Sequence, residues 1–139
     1  MCVFNLNGVL EFELREGAYN SELFIDFINR KLINYFALNP QKILIMDNAK
    51  FHHSREVLNF LHEKRISYKF LPPYSPQLNP IEEFFSLLKS RYIDLKNPEI
   101  RINETLNQVF QEDFSRQVNE YYIHMNEWLE KARQRRDFI

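Results

Sequence analysis

The apolar residues of this chain fall into runs whose period changes along the sequence, most sharply over positions 43–92. Ile43, Leu44, Ile45 and Met46 are consecutive, a pattern that predicts a strand covered on both faces, and Asp47 follows at its carboxyl end. Behind a Ser54 N-cap, Val57, Leu58 and Leu61 recur at helical spacing, and Tyr68, Phe70 and Leu71 then read as a strand. A strand, helix, strand order of this length is a right-handed parallel crossover, which returns the chain to the rim that carries Asp47. Positions 72–79 (PPYSPQLN) are too rich in proline for regular structure. They lead into a helix with Asn79 as N-cap, Pro80 at its first position and an apolar face of Ile81, Phe84, Phe85, Leu88 and Tyr92. Glu82 falls in the first turn, off that face.

Two patterned regions flank this one. Toward the N-terminus, apolar strands over 3–6 and 9–14 flank Asn7-Gly8, a strong hairpin signal, and Leu23, Phe24, Phe27, Ile28, Leu32 and Phe36 make an amphipathic helix that ends before Asn39-Pro40. Toward the C-terminus, Asn97-Pro98 breaks the chain. From about 103 onward Phe110, Phe114, Val118, Tyr121, Tyr122, Met125, Trp128 and Leu129 predict a helix, interrupted near Ser115, that packs back on the sheet. The expected division is therefore a core over 1–96 and a helical extension over 97–139.

Composition narrows the class. With 139 residues and 45% hydrophobic content the chain can bury one sizeable core. Its net charge of −1 excludes a global basic field, so any nucleic-acid surface must be local. Lysines and arginines cluster in two places. Lys89, Arg91 and Lys96 follow Glu82 and are candidates for phosphate contact, whereas Lys131, Arg133, Arg135 and Arg136 read first as a solvated helix end. Cys2 is the single cysteine, which rules out an intrachain disulfide. No apolar run is long enough to span a bilayer and the start has no signal-peptide pattern, so the expected location is the nucleus in a eukaryote, or otherwise the cytoplasm or nucleoid.

The candidate chemistry lies in Asp47 and Glu82, with 34 residues (positions 48 to 81) between them. If the crossover closes at one rim, two carboxylates meet there and suit Mg2+ or Mn2+, hard cations that take oxygen ligands. Each residue also has a purely structural reading. Asp47-Asn48 can be a turn that closes a strand, Asn79-x-x-Glu82 is close to a capping box, and His52 and His53 can be solvated or hydrogen-bonded at a helix start.

Two motifs carry a resemblance. Asp47-Asn48-Ala49-x-x-His52 and Leu71-Pro72-Pro73-Tyr74-Ser75-Pro76-x-Leu78-Asn79-Pro80-Ile81-Glu82 resemble the catalytic-domain signature of mariner-like and related insertion-sequence transposases, the DDE superfamily. The second motif is long and specific, and weaker similarity extends over 8–92. The resemblance implies an RNase H-like α/β fold, a mixed sheet flanked by helices. It also implies two divalent metal ions held by three acids, cleavage of DNA at element ends, and joining of a 3′-hydroxyl to target DNA. By position, Asp47 matches the second acid and Glu82 the third, with Asn48, His52 and Asn79 expected behind them.

The sequence departs from the family at its start. The family's first, central strand and the acid on it have no counterpart, since Glu11, Glu13 and Asp26 do not match that position; the DNA-binding region that precedes the catalytic domain is also missing. The expectation is a truncated transposase catalytic domain, inactive alone, that binds Mg2+ or Mn2+ weakly. Its implied partner is DNA, both transposon ends and target, with self-association left open. The alternatives are a non-catalytic DNA- or protein-binding module on the same fold, and an ordinary α/β interaction domain.

Overall fold

The computed structural model describes residues 1–134, which divide into two compact units. Arg15–Ser75 forms one, and Met1–Leu14 with the chain from Pro76 onward forms the other.

In the Arg15–Ser75 unit, helix α1 (Ser21–Phe27) starts at Asn20, whose side chain accepts the Leu23 N–H at 2.9 Å. A π-helical turn over Ile28–Leu32 carries it into α2 (Ile33–Leu38). The wider turn lets Phe24, Phe27, Ile28, Leu32 and Phe36 all be buried, although the register of a plain α-helix is broken between them. Strand β3 (Ile43–Met46) pairs in parallel with β4 (Ser67–Phe70), joined by α3 (Arg55–Glu63), whose Ser54 cap accepts from the Val57 N–H. The crossover expected from the period change is thus present, and the Leu71 N–H extends it with a 2.9 Å bond to the Met46 carbonyl.

Strand β3 is not covered on both faces. Leu44 and Met46 are buried, but Ile43 is 48% and Ile45 61% exposed. A two-stranded ladder packed on one face leaves the other to water, so an unbroken apolar run here alternates in burial as a half-covered strand does.

In the other unit, β1 (Cys2–Asn5) and β2 (Gly8–Phe12) form the expected antiparallel hairpin. Its turn lies over Leu6 and Asn7 rather than Asn7-Gly8: Asn5 Oδ1 accepts the Asn7 N–H at 2.8 Å, and Gly8 leaves the turn at φ +118°. The ladder then slips by one residue between Val3 and Phe4, a bulge that absorbs the shifted turn. Helix α4 (Pro80–Leu95) packs against α5 (Ile102–Val109) and α6 (Ser115–Arg133), and α6 packs on β2.

The C-terminal apolar stripe is interrupted near Ser115, as expected, and so forms two helices, α5 and α6. Asp113 Oδ1 accepts the Ser115 N–H at 2.9 Å where α6 opens, and this bond, followed by one from the Ser115 side chain, holds its carboxyl below the usual range. The break turns Phe110 and Phe114 inward together. Phe12 stacks on Phe110 (3.9 Å between centroids, 6° between planes) and Phe84 meets Phe114 edge-on at 5.3 Å. Cys2, Phe84, Val109, Phe114 and Val118 form the buried centre of this unit. Among the described residues no helix is long and apolar enough to cross a membrane.

Candidate functional site

Asp47 leaves the end of β3 as the first residue of a tight turn. One carboxylate oxygen, Oδ1, accepts the Ala49 N–H at 3.1 Å, and His52 Nδ1 stands 2.9 Å from the same atom and 3.3 Å from the Asp47 carbonyl. Both neighbours of Nδ1 are acceptors, so that nitrogen carries the hydrogen and donates it. The ring is placed by a 3₁₀ turn over Lys50–His53 and by Phe24 and Phe51, whose centroids lie 4.6 and 4.3 Å from it. His52 is therefore only 12% exposed, against 53% for the Asp47 side chain. Asp47 thus serves the turn, as its structural reading held, while its second oxygen, Oδ2, accepts no hydrogen bond among the described residues.

Asn48 ties this rim together. Its Nδ2 donates to the Leu71 carbonyl at 2.7 Å, across the ends of the two parallel strands, and its Oδ1 accepts from His53 Nε2 at 3.1 Å. His53 in turn lies flat on Phe70, 3.9 Å away and tilted by 21°. Sequence reasoning missed this second histidine's part. The available signal was the Asn48 to His53 spacing of five, which a 3₁₀ turn folds into contact.

Glu82 and Asn79 belong to the other unit. Asn79 is the N-cap residue of α4 and Pro80 opens the helix, but the Asn79 side chain makes no capping bond and its N–H goes to the Pro76 carbonyl at 2.9 Å. The capping-box reading of Asn79 and Glu82 is thereby excluded, because the donor that Glu82 would bind is already taken. The Glu82 carboxylate is exposed and accepts no hydrogen bond among the described residues. Its neighbour Glu83 is engaged instead. Glu83 Oε2 lies 3.0 Å from Nδ1 of His124 on α6, 41 positions away, and no sequence signal marks this pair. The hydrogen bond to Glu83, followed by its charge and those of Glu127 and Glu120, raises the His124 pKa.

The basic candidates have different surroundings. Lys89 is exposed at the edge of a shallow cavity of about 340 Å³, lined mainly by Phe85, Leu88, Tyr92, Ile102 and Leu106. Arg91 Nε is 3.4 Å from Glu112, an ion pair that draws its charge inward, whereas Lys96 ends α4 exposed. In the C-terminal group, Lys131 lies over the Trp128 ring at 4.9 Å and Arg133 pairs with Glu130 at 3.4 Å; Arg135 and Arg136 lie outside the described residues.

The oxygen donors fit a hard divalent cation in kind, and the two polar partners on Asp47 Oδ1 leave Oδ2 free for one. In number they fall short: among the described residues no three His, Cys, Asp or Glu side chains group to hold a metal.

Comparison with known proteins agrees with the fold. The family described as DDE superfamily endonuclease matches residues 1–107, which include both motifs. Among solved structures, the chain is similar to the catalytic domain of Mos1 mariner transposase, with a TM-score of 0.77 and 19% identity over 99% of this chain and 74% of that one. Two structures of the Mos1 transposase catalytic domain with raltegravir are also similar. The one with Mg has a TM-score of 0.75, 17% identity and 99% and 75% coverage, and the one with Mn 0.77, 19%, 99% and 76%. The mixed α/β architecture is thus RNase H-like. No curated protein matches the chain.

Proposed function

The chain belongs to the DDE superfamily endonucleases, and on that premise we propose that it is a transposase catalytic domain for metal-dependent cleavage and joining of DNA, in which Asp47 and Glu82 are two of the metal-holding carboxylates. The observation that carries the reading is the state of Asp47: one oxygen is fixed by a backbone N–H and the His52 ring, and the other accepts no hydrogen bond among the described residues, on a side chain 53% exposed. A carboxylate held in this way is oriented before any ligand arrives, which is what a histidine behind a metal ligand contributes. Glu82, exposed and without a hydrogen-bonding partner among the described residues, is the second donor.

Bound Mg2+ or Mn2+ would supply Lewis-acid activation of a water or 3′-hydroxyl and charge stabilisation at the phosphodiester. Asp47 and Glu82 would hold it, His52 would keep the Asp47 carboxylate in position, and Asn48 would keep the two strand ends from separating. Two carboxylates are too few to bridge and flank a pair of ions, so the 139 residues by themselves bind metal weakly and do not cut DNA. Lys89, two turns along α4 from Glu82, and Lys96, at the far end of that helix, are the proposed phosphate contacts, with Arg91 weaker because Glu112 competes for it.

Calorimetry with Mn2+ tests the reading, with weak binding expected that disappears in both Asp47→Ala and Glu82→Ala. Tight binding that survives both substitutions would overturn it. A plasmid-nicking assay on a longer chain that supplies a third acid should show metal-dependent cuts. Continued binding of DNA without nicking in that longer chain would instead favour the non-catalytic module.

A further inference from the structure

The loop that leaves β4 carries a tyrosine that the fold does not use. Tyr74 is fully exposed, and its ring has no stacking, hydrogen-bonding or cation partner among the described residues. Its backbone sits at φ +55°, the left-handed region that glycine or asparagine occupies at least cost. Folding alone would favour either of those residues over a bulky aromatic there.

The surroundings hold this ring out rather than letting it collapse. Pro72 and Pro73 stiffen the approach, and Ser75 Oγ donates to the Pro73 carbonyl at 3.2 Å to close the bend. The loop also has a fixed root. Leu71, its first residue, is bonded to Met46 through its N–H and to Asn48 through its carbonyl, on either side of Asp47 in sequence. Tyr74 is three residues on, so its Cα lies within about 11 Å of that root. Lys50, exposed and without an ion pair among the described residues, follows Asp47 by three positions and offers a cation to a phosphate at the same rim.

We propose that Tyr74 is a stacking platform for an unpaired nucleobase of the DNA that reaches the Asp47 rim. The inference rests on the DNA-processing reading above and adds a substrate feature to it, a base outside the duplex stack. An aromatic face accepts any base, so the contact favours single-stranded or opened DNA without selecting a sequence. Tyr74 is a binding residue in this scheme and takes no part in bond making.

The test measures the affinity of the 139-residue chain for a fluorescein-labelled single-stranded 20-mer and for the blunt duplex of the same sequence. A second single strand carries 2-aminopurine, whose emission is quenched by stacking. Tyr74→Ala should weaken single-strand binding by about tenfold and abolish the quenching, and Tyr74→Phe should keep both. Tyr74→Asn, which tolerates the left-handed backbone, should behave as Tyr74→Ala and so separates ring loss from relief of strain. Duplex affinity should change less than twofold in all three variants. Equal single-strand affinity and quenching in wild type and Tyr74→Ala would overturn the proposal while leaving the DNA-processing reading intact. Failure of the wild-type chain to bind either DNA would overturn both.

Discussion

His52 and Asp47 are joined twice through one atom: Nδ1 of the histidine faces both the side-chain and the backbone oxygen of the aspartate, at 2.9 and 3.3 Å. The pair fixes the turn that presents the carboxylate and the orientation of the carboxylate itself. Replacing the ring by one that packs equally well but cannot donate isolates the second effect. His52→Phe should retain the contacts with Phe24 and Phe51 yet lower Mn2+ affinity about 10- to 100-fold, the usual cost of losing a partner behind a metal ligand. Calorimetry in parallel with thermal melting separates this from unfolding; unchanged affinity would reduce His52 to a packing residue.

Phe84 is fully buried and touches Phe4, Phe110 and Phe114. Phe84→Ala removes the ring around which the hairpin, α4 and the two C-terminal helices pack, and should cost about 3–5 kcal/mol in urea unfolding. Phe85, one position on and 42% exposed, is the control, and Phe85→Ala should cost far less.

The His124–Glu83 contact makes the packing of α6 on α4 depend on pH. The folded-state pKa of His124 is raised above 6.5, chiefly by the hydrogen bond to Glu83. The stability this pair contributes is therefore fully present below pH 6.5 and is lost as pH rises through the raised folded value. Melting temperature should fall across that window in wild type and fall less in His124→Gln, and the two curves should converge at high pH. Both side chains are about half exposed, so added salt should shrink the difference.

Gly8 leaves the hairpin turn at φ +118°, where a side chain is strained whatever the space around it. A Cβ there would meet the Ser115 backbone at 3.6 Å, an ordinary contact, so the cost of Gly8→Ala comes from the backbone and not from crowding. Unfolding experiments should show a loss of about 1–3 kcal/mol with no change in which residues are buried.

Much of this was legible in order along the chain. The change from a continuous apolar run to helical spacing and back gave the β3–α3–β4 crossover, because burial on one side imposes the period of the local backbone. The motif around Asp47 and the one ending at Glu82 gave the family. Less legible were features set by competition between local partners. Asn7-Gly8 signalled a hairpin but not its register, since Asn5 claimed the Asn7 N–H and moved the turn back by one residue. The C-terminal stripe marked a break near Ser115 but not its cause, the Asp113 carboxylate that accepts the Ser115 N–H.

By itself the sequence determined the element types, the parallel return to the Asp47 rim and the two acids that carry the family signature, all of which depend on neighbours close in the chain. Tertiary structure decided which face of β3 meets water, which oxygen of Asp47 is left open, and that Glu83 rather than Glu82 is taken up by a histidine 41 positions away. Those outcomes depend on which groups pack or bond across the fold. Of two adjacent glutamates with the same local preferences, only Glu83 is bonded to a histidine among the described residues, because it is the one that faces α6.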